Sequence, residues 1–365
     1  MKPYRYLLLA TLSLPLFACS GEDGETPVVP PVNPDAPVAL SVRLANVAIT
    51  KGGAATDDIS AISLYAVNNT SGETTYGTPP NGTYGKYTKQ QAGAFTPSDA
   101  DNTIWLNNQV AKVYSCYPAV TAVSGISIGG TADAPSYTRQ IPAAAITLAP
   151  TTFTYDNSQT SIKALDYASA GNDYMYGVEY TASPAAAFGP GQPTASNQNE
   201  SIAIGLKHAF SQIRLAIKKG DTYQNDPKIT KVTLSVKQPF LNNSGSSTMS
   251  LIDGALSGLT TPGGGATDYN VTYTYDLKDA NSTTLTSSVT ALSITNYILP
   301  STAGIPYKIS ITVDGKNMDL SGTTEALEAG KINIYTISIH GTGLKLDGFH
   351  VVAWAPQDIE VTDKL

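Results

Sequence analysis

Alternation with a period of two constrains this chain more than any other feature. From Ser201 onward, apolar residues recur at every second position. They are Ile202, Ile204 and Leu206, then Ile213, Leu215 and Ile217, then Val232, Leu234 and Val236, and finally Tyr307, Ile309, Ile311 and Val313. Successive side chains of a strand face opposite sides, so each run specifies a half-buried strand. In the third run Lys231, Thr233, Ser235 and Lys237 turn outward. The first two runs are out of phase, which predicts a bulge or bend across Ala209–Gln212. The last run enters Asp314-Gly315, a two-residue hairpin signal, with Lys316–Leu320 as the returning strand. Met249–Ile252, Val271–Leu277, Ser293–Leu299, Lys331–Ile339 and Phe349–Trp354 read as further strands. No window of about 10 residues carries a helical face.

The first half is less regular. Val38, Leu40, Val42 and Leu44 alternate and define a first strand that runs on toward Ile49. Lys51–Asp58 is a loop by its glycines and small polar residues, and Ile59–Val67 is a second strand. Residues 68–112 read as long Gly- and Asn-rich connections, with Trp105 near their end, followed by a strand at Lys112–Tyr117. Residues 118–200 lack strong periodicity. Only 14% of residues are charged, and Tyr occurs 21 times against 7 Phe, a balance that suits short strands with wet loops. The expected fold is all-β, with two β-sandwich domains in series over residues 38–200 and 201–365.

The start of the chain is a separate module. Lys2 and Arg5 precede an apolar run from Tyr6 to Phe17, and Leu16-Phe17-Ala18-Cys19 closes it. That is the order of a secretory signal. It is too short for a stable membrane span, which takes ~20 apolar residues. A cysteine directly after Leu-x-Ala reads as a bacterial lipoprotein signal over residues 1–18. It is cut before Cys19, whose thiol takes the lipid and so inserts into the outer membrane. Residues 19–37 form an acidic, Pro-rich tether: Glu22, Asp23 and Glu25 lead into Pro27, Pro30, Pro31 and Pro34, an extended spacer. Removing residues 1–18 leaves 20 basic groups against 29 acidic ones, with no basic run, which argues against nucleic acid as a partner. Cys116 is then the only other cysteine, so no internal disulfide is available; a buried core thiol is preferred over a reactive one.

Laid out this way, the chain resembles the fimbrillin-like family, the lipoprotein subunits and tips of type V pili. Four places carry the resemblance. They are the lipoprotein start; Val113-Tyr114-Ser115-Cys116-Tyr117-Pro118; Gly205-Leu206-Lys207-His208-Ala209-Phe210-Ser211-Gln212-Ile213; and Glu328-Ala329-Gly330-Lys331-Ile332-Asn333-Ile334-Tyr335 with the later Val351-Val352-Ala353-Trp354. The resemblance implies two transthyretin-like sandwiches, a surface-exposed, outer-membrane-anchored fimbrium and adhesion. It also implies polymerisation with other pilus subunits by strand exchange, and a host glycan or protein as a further partner. On these residues, a protease cutting after the first strand would release Val38, Leu40, Val42 and Leu44, and a strand from another subunit would fill the groove by β-augmentation. Losing all four would uncover burial on the order of 6–12 kcal/mol, comparable to a domain's whole stability. Family members cut by an arginine-specific protease have Arg in the loop. This chain has Lys51 there, and its Arg43 lies inside the strand. Either Lys51 is the cut site, or the strand stays and the subunit is an anchor or is processed differently. At the other end, Pro356 interrupts the last strand and leaves only Ile359, Val361 and Leu365 as apolar anchors.

Other patterns are weighed against plainer readings. Gly125-Ile126-Ser127-Ile128-Gly129 matches the G-x-S-x-G hydrolase pattern, which needs a helix after it; Gly130-Thr131-Ala132-Asp133-Ala134-Pro135 is not one. His208, His340 and His350 stand at no metal-ligand spacing. Asp99, Asp101 and Asn102 offer oxygens to calcium, although acidic loops are mostly just solvated. Tyr84, Tyr87 and Tyr137 are candidates for stacking on sugar, set against the ordinary preference of Tyr for strands. No catalytic residue, metal site or cofactor is expected. The reading is a non-enzymatic fimbrial subunit or tip adhesin. The alternative is a monomeric glycan-binding surface lipoprotein.

Overall fold

The alternating runs become strands, and each finds a partner that covers its apolar face. The computed structural model describes residues 36–45, 59–77, 83–90, 93–142, 145–146, 154–156, 161–166, 173–180, 188–189, 191–242, 244–265, 268–277 and 282–354. Among them the fold is all-β, with helix limited to single 3-10 turns such as Ala100–Asn102 and Val123–Gly125. The described residues form one compact unit.

Two sheets in the second half face each other as a sandwich. In one, Ser211–Lys219 is central. It pairs with Ala291–Ile298 on one side and, in parallel, with Lys331–His340 on the other, and Gly343–Ala353 lies outside the latter. In the other, Lys228–Val236 lies between Val271–Asp276 and Pro306–Val313, and Lys316–Thr323 forms the edge. Ile213, Leu215 and Tyr335 from the first sheet meet Leu234, Tyr307 and Ile309 from the second. The expected hairpin is present, with Val313 opposite Lys316. Asp314 at φ 48° and Gly315 at φ 77° give the left-handed pair of a primed turn, which follows the twist of its strands. The carboxylate of Asp314 fixes that turn from outside, accepting from Tyr223 Oη at 2.6 Å and from Lys228 N at 3.1 Å.

The first half builds a sheet of eight strands. Its order is Met175–Glu179, Ser201–His208, Ser41–Leu44, Ala94–Pro97, Tyr84–Lys89, Ala61–Asn68, Ala111–Tyr117 and Thr194–Ala195. Met175–Glu179 also pairs with Ala111–Tyr117, so every strand except Thr194–Ala195 belongs to a closed ring. Closure removes the free edges that an open sheet must protect. Leu40, Val42, Leu64, Tyr87, Phe95, Val113, Ile202 and Ile204 share its buried core.

A third layer ties the halves together. Ile126–Thr131 and Ala134–Gln140 form a hairpin, and Gln140 back to Thr138 pairs with Thr248–Ser250. Tyr137 from this hairpin stacks on Tyr114 of the ring at 4.3 Å. Glu73 clamps the same place, accepting from Tyr114 Oη at 2.7 Å and from Lys112 Nζ. Burial opposes ionisation of Glu73, but these bonds and the Lys112 charge outweigh it and hold the carboxyl below its ordinary range.

Strands do not sort by a border at residue 200. Ser201–His208 belongs to the ring, and Ile162–Asp166 pairs in parallel with Ala291–Ile294 of the sandwich. The chain passes from ring to sandwich at Ala209 and Phe210, both fully buried. The expected break at Ala209–Gln212 is therefore a bend between two sheets.

Candidate functional site

The first strand is threaded through the ring. Val38–Ala39 pairs with Trp105–Leu106. At Leu40 the strand changes partners: Leu40 N donates to Ile104 O at 2.9 Å, and Ser41 N donates to Glu200 O at 2.8 Å. Ser41–Leu44 then lies parallel to Ser201–Ile204 and antiparallel to Ala94–Phe95, bonded on both edges. Leu40 and Val42 are fully buried, whereas Val38 and Leu44 are half-buried. The two buried side chains alone represent about 3–6 kcal/mol. Tyr87, fully buried, donates its hydroxyl to Leu40 O at 3.3 Å, and burial drives that phenol well above its ordinary pKa. Without Val38–Leu44 the ring would have a slot with two unpaired edges.

Arg43 sits within this strand, opposite Ala203 and Ala94, with its side chain exposed. Its backbone is paired, and a protease needs an unpaired, extended substrate. Lys51, Cys19, Ile359, Val361 and Leu365 lie outside the described residues.

A second constellation sits where ring and sandwich meet. His208, at the end of its ring strand, pairs through Nδ1 with the buried Asp173 at 3.0 Å. Its ring lies flat on Trp354 at 3.8 Å and 3°. Trp354 N donates to Gly330 O at 2.7 Å, and Gly330 N donates to Phe210 O at 2.8 Å. The Lys-His-Ala stretch, the Gly-Lys turn and the closing tryptophan, far apart in the sequence, thus form one joint. His208 is structural here, as its strand position suggested.

The three tyrosines weighed for sugar stacking form no surface platform. Tyr84, Tyr87 and Tyr137 are all buried, because each hydroxyl finds a backbone carbonyl inside the fold: Val120, Leu40 and Glu73 respectively. Asp99 caps a 3-10 turn, accepting from Asn102 N at 3.0 Å and Asn102 Nδ2 at 2.6 Å, while Asn102 Oδ1 accepts from Lys86 N. Its oxygens are used by the turn itself. Among the described residues no group of three His, Cys, Asp or Glu is placed to hold a metal. Ser127 lies mid-strand opposite Thr138, with no helix after it. Cys116 is buried, and burial pushes its thiol up despite Arg139 Nη1 at 4.0 Å. His340 bonds Thr222 and Ser338, and His350 lies exposed opposite Ile334.

The sequence model of the fimbrillin-like family matches residues 48–354. The chain belongs to the fimbrillin-like family. Its class is that of structural, non-enzymatic proteins. A solved structure of a candidate cell adhesion protein from Bacteroides ovatus is similar to this fimbrillin-like chain at TM-score 0.52 and 12% identity, covering 89% of this chain and 99% of that one. A fimbrial protein from Bacteroides vulgatus gives TM-score 0.46 and 12% identity, over 87% of this chain and 99% of that one. No curated protein matches the chain by sequence. The family match takes in the joint at His208 and Trp354 but begins after the first strand.

Proposed function

We propose that this fimbrillin-like chain is a fimbrial adhesion subunit whose first strand is exchangeable. It is held at the outer membrane through a lipid on Cys19, on a tether reaching to residue 37. A protease cuts after the first strand at Lys51, releasing Val38–Leu44, and another subunit's strand fills the slot. The ring and the sandwich are the two lobes of the subunit, hinged at Ala209–Phe210. The observation that supports this reading is the position of Ser41–Leu44. It is bonded on both edges by short ladders, and it fills the core with Leu40 and Val42. A strand in that place leaves behind both unpaired backbone and an apolar groove, the two features a donor strand satisfies. Cutting at Arg43 is disfavoured, because it requires the strand to leave first.

Limited proteolysis of the full chain with a lysine-specific enzyme tests this, followed by mass spectrometry and sizing. A cut at Lys51 with loss of the first strand and growth of oligomers is expected. A cut chain that retains its first strand and stays monomeric overturns strand exchange.

A further inference from the structure

A cleft of about 340 Å³ opens beside the His208–Trp354 joint. Its walls come from both halves of the chain: Tyr176, Phe188, Lys207 and His208 on one side, Lys331 and Trp354 on the other. This volume falls within the range of small-ligand sites, which are mostly apolar with a few polar groups. Two features set it apart from an incidental gap. First, the walls are aromatic, and Phe188 has its place because residue 205 is glycine: a Cβ there would come within 2.3 Å of the Phe188 ring. Second, two lysines line the same cleft in a chain of net charge −7. Lys207 Nζ stands 5.9 Å from the Phe188 ring centre, and among the described residues neither lysine has an acidic partner.

We infer that this cleft is a binding site for an acidic monosaccharide unit, a pyranose ring carrying one carboxylate. The ring's C–H face suits the aromatic walls, and the carboxylate suits the two cations, Lys207 and Lys331, that line the cleft. A neutral sugar leaves both lysines uncompensated, so the site discriminates by charge. This deepens the adhesion reading by naming a ligand class. It involves none of the first strand, so the two ideas fail separately.

The test uses the full chain carrying Trp105→Phe. The protein has two tryptophans and Trp105 is exposed, so the variant leaves Trp354 as the sole emitter. Titration with D-glucuronate is expected to change its emission saturably. D-glucose should act at least about tenfold more weakly, and rising salt should weaken glucuronate alone. Lys207→Gln with Lys331→Gln should reduce the response about tenfold without moving the thermal midpoint. Equal responses to glucose and glucuronate, no saturable response to either, or insensitivity to salt would each overturn the assignment. The salt series needs no lysine variant, so it decides the matter even if the double variant fails to fold. Retention of the glucuronate response in a folded double variant would also overturn it. Strand exchange would survive every one of these failures.

Discussion

Two strands, each bonded on both edges, sit at the centres of the two halves, and they are held very differently. Ser211–Lys219 runs in continuous register against Ile298 back to Ala291, and against Ile332 on to Ile339. The first strand changes partners at Leu40 and touches Ala94–Phe95 for only two residues. Long ladders open only with the whole fold, and short ones near a terminus open locally. The ladders of the sandwich are therefore continuous, whereas the ring is closed through a strand with short ladders, the one proposed to exchange.

The largest effect expected from this contrast is in the sandwich. Leu215→Ala should lower global stability by about 2–5 kcal/mol, read by urea unfolding. Val42→Ala in the first strand should cost less, roughly 1–3 kcal/mol, and should speed amide exchange at residues 41–45 while leaving Ser211–Lys219 protected. Equal acceleration in both strands would erase the distinction between them.

Glu73 gives a pH-dependent version of the comparison, because it braces the outside of the ring. Its folded pKa lies below the unfolded value of about 4.3. Its stabilisation is thus fully present above that value and fades as pH falls through the folded pKa. Glu73→Gln should be less stable than the parent by about 1–2 kcal/mol at neutral pH, with the gap closing below about pH 4. Thermal midpoints measured down a pH series would show this; a gap that persists under acid would mean the carboxylate is not the active group. The smallest effect belongs to the sandwich hairpin. The bond to Asp314, then burial, raises the Tyr223 phenol to about 12, and Asp314→Asn should bring its ultraviolet titration down toward 10.

What could be read from the sequence depended on how many faces of a strand are covered. Val232, Leu234 and Val236 alternate because the outer face of Lys228–Val236 meets water, and that strand was expected. Ala61–Asn68 and Ala111–Tyr117 are buried on both faces, inside the ring and beneath the Tyr137 hairpin; strands were expected there too, at Ile59–Val67 and Lys112–Tyr117, but without that alternation nothing marked their second covered face. The short strands Tyr84–Lys89 and Ala94–Pro97 read as loops, because few residues carry any pattern at all. Ile126–Gln140 was missed because its first strand is exposed from Ser127 onward, so no apolar stripe marks it. The same blindness to tertiary cover kept a sugar-stacking role open for Tyr84, Tyr87 and Tyr137 beside the ordinary place of Tyr in strands. The cleft at Lys207 and Lys331 carried no sequence signal, since 124 positions separate its two lysines.

The sequence by itself determined the all-β class, the Asp314-Gly315 turn, the break after His208 and the alternating first strand. Each depends on backbone geometry or side-chain period within a few residues. Tertiary structure alone decided that the first half closes into a ring, that the first strand bonds on both edges, and that His208 meets Trp354. Those facts depend on which distant faces exclude water together, and no local pattern encodes that.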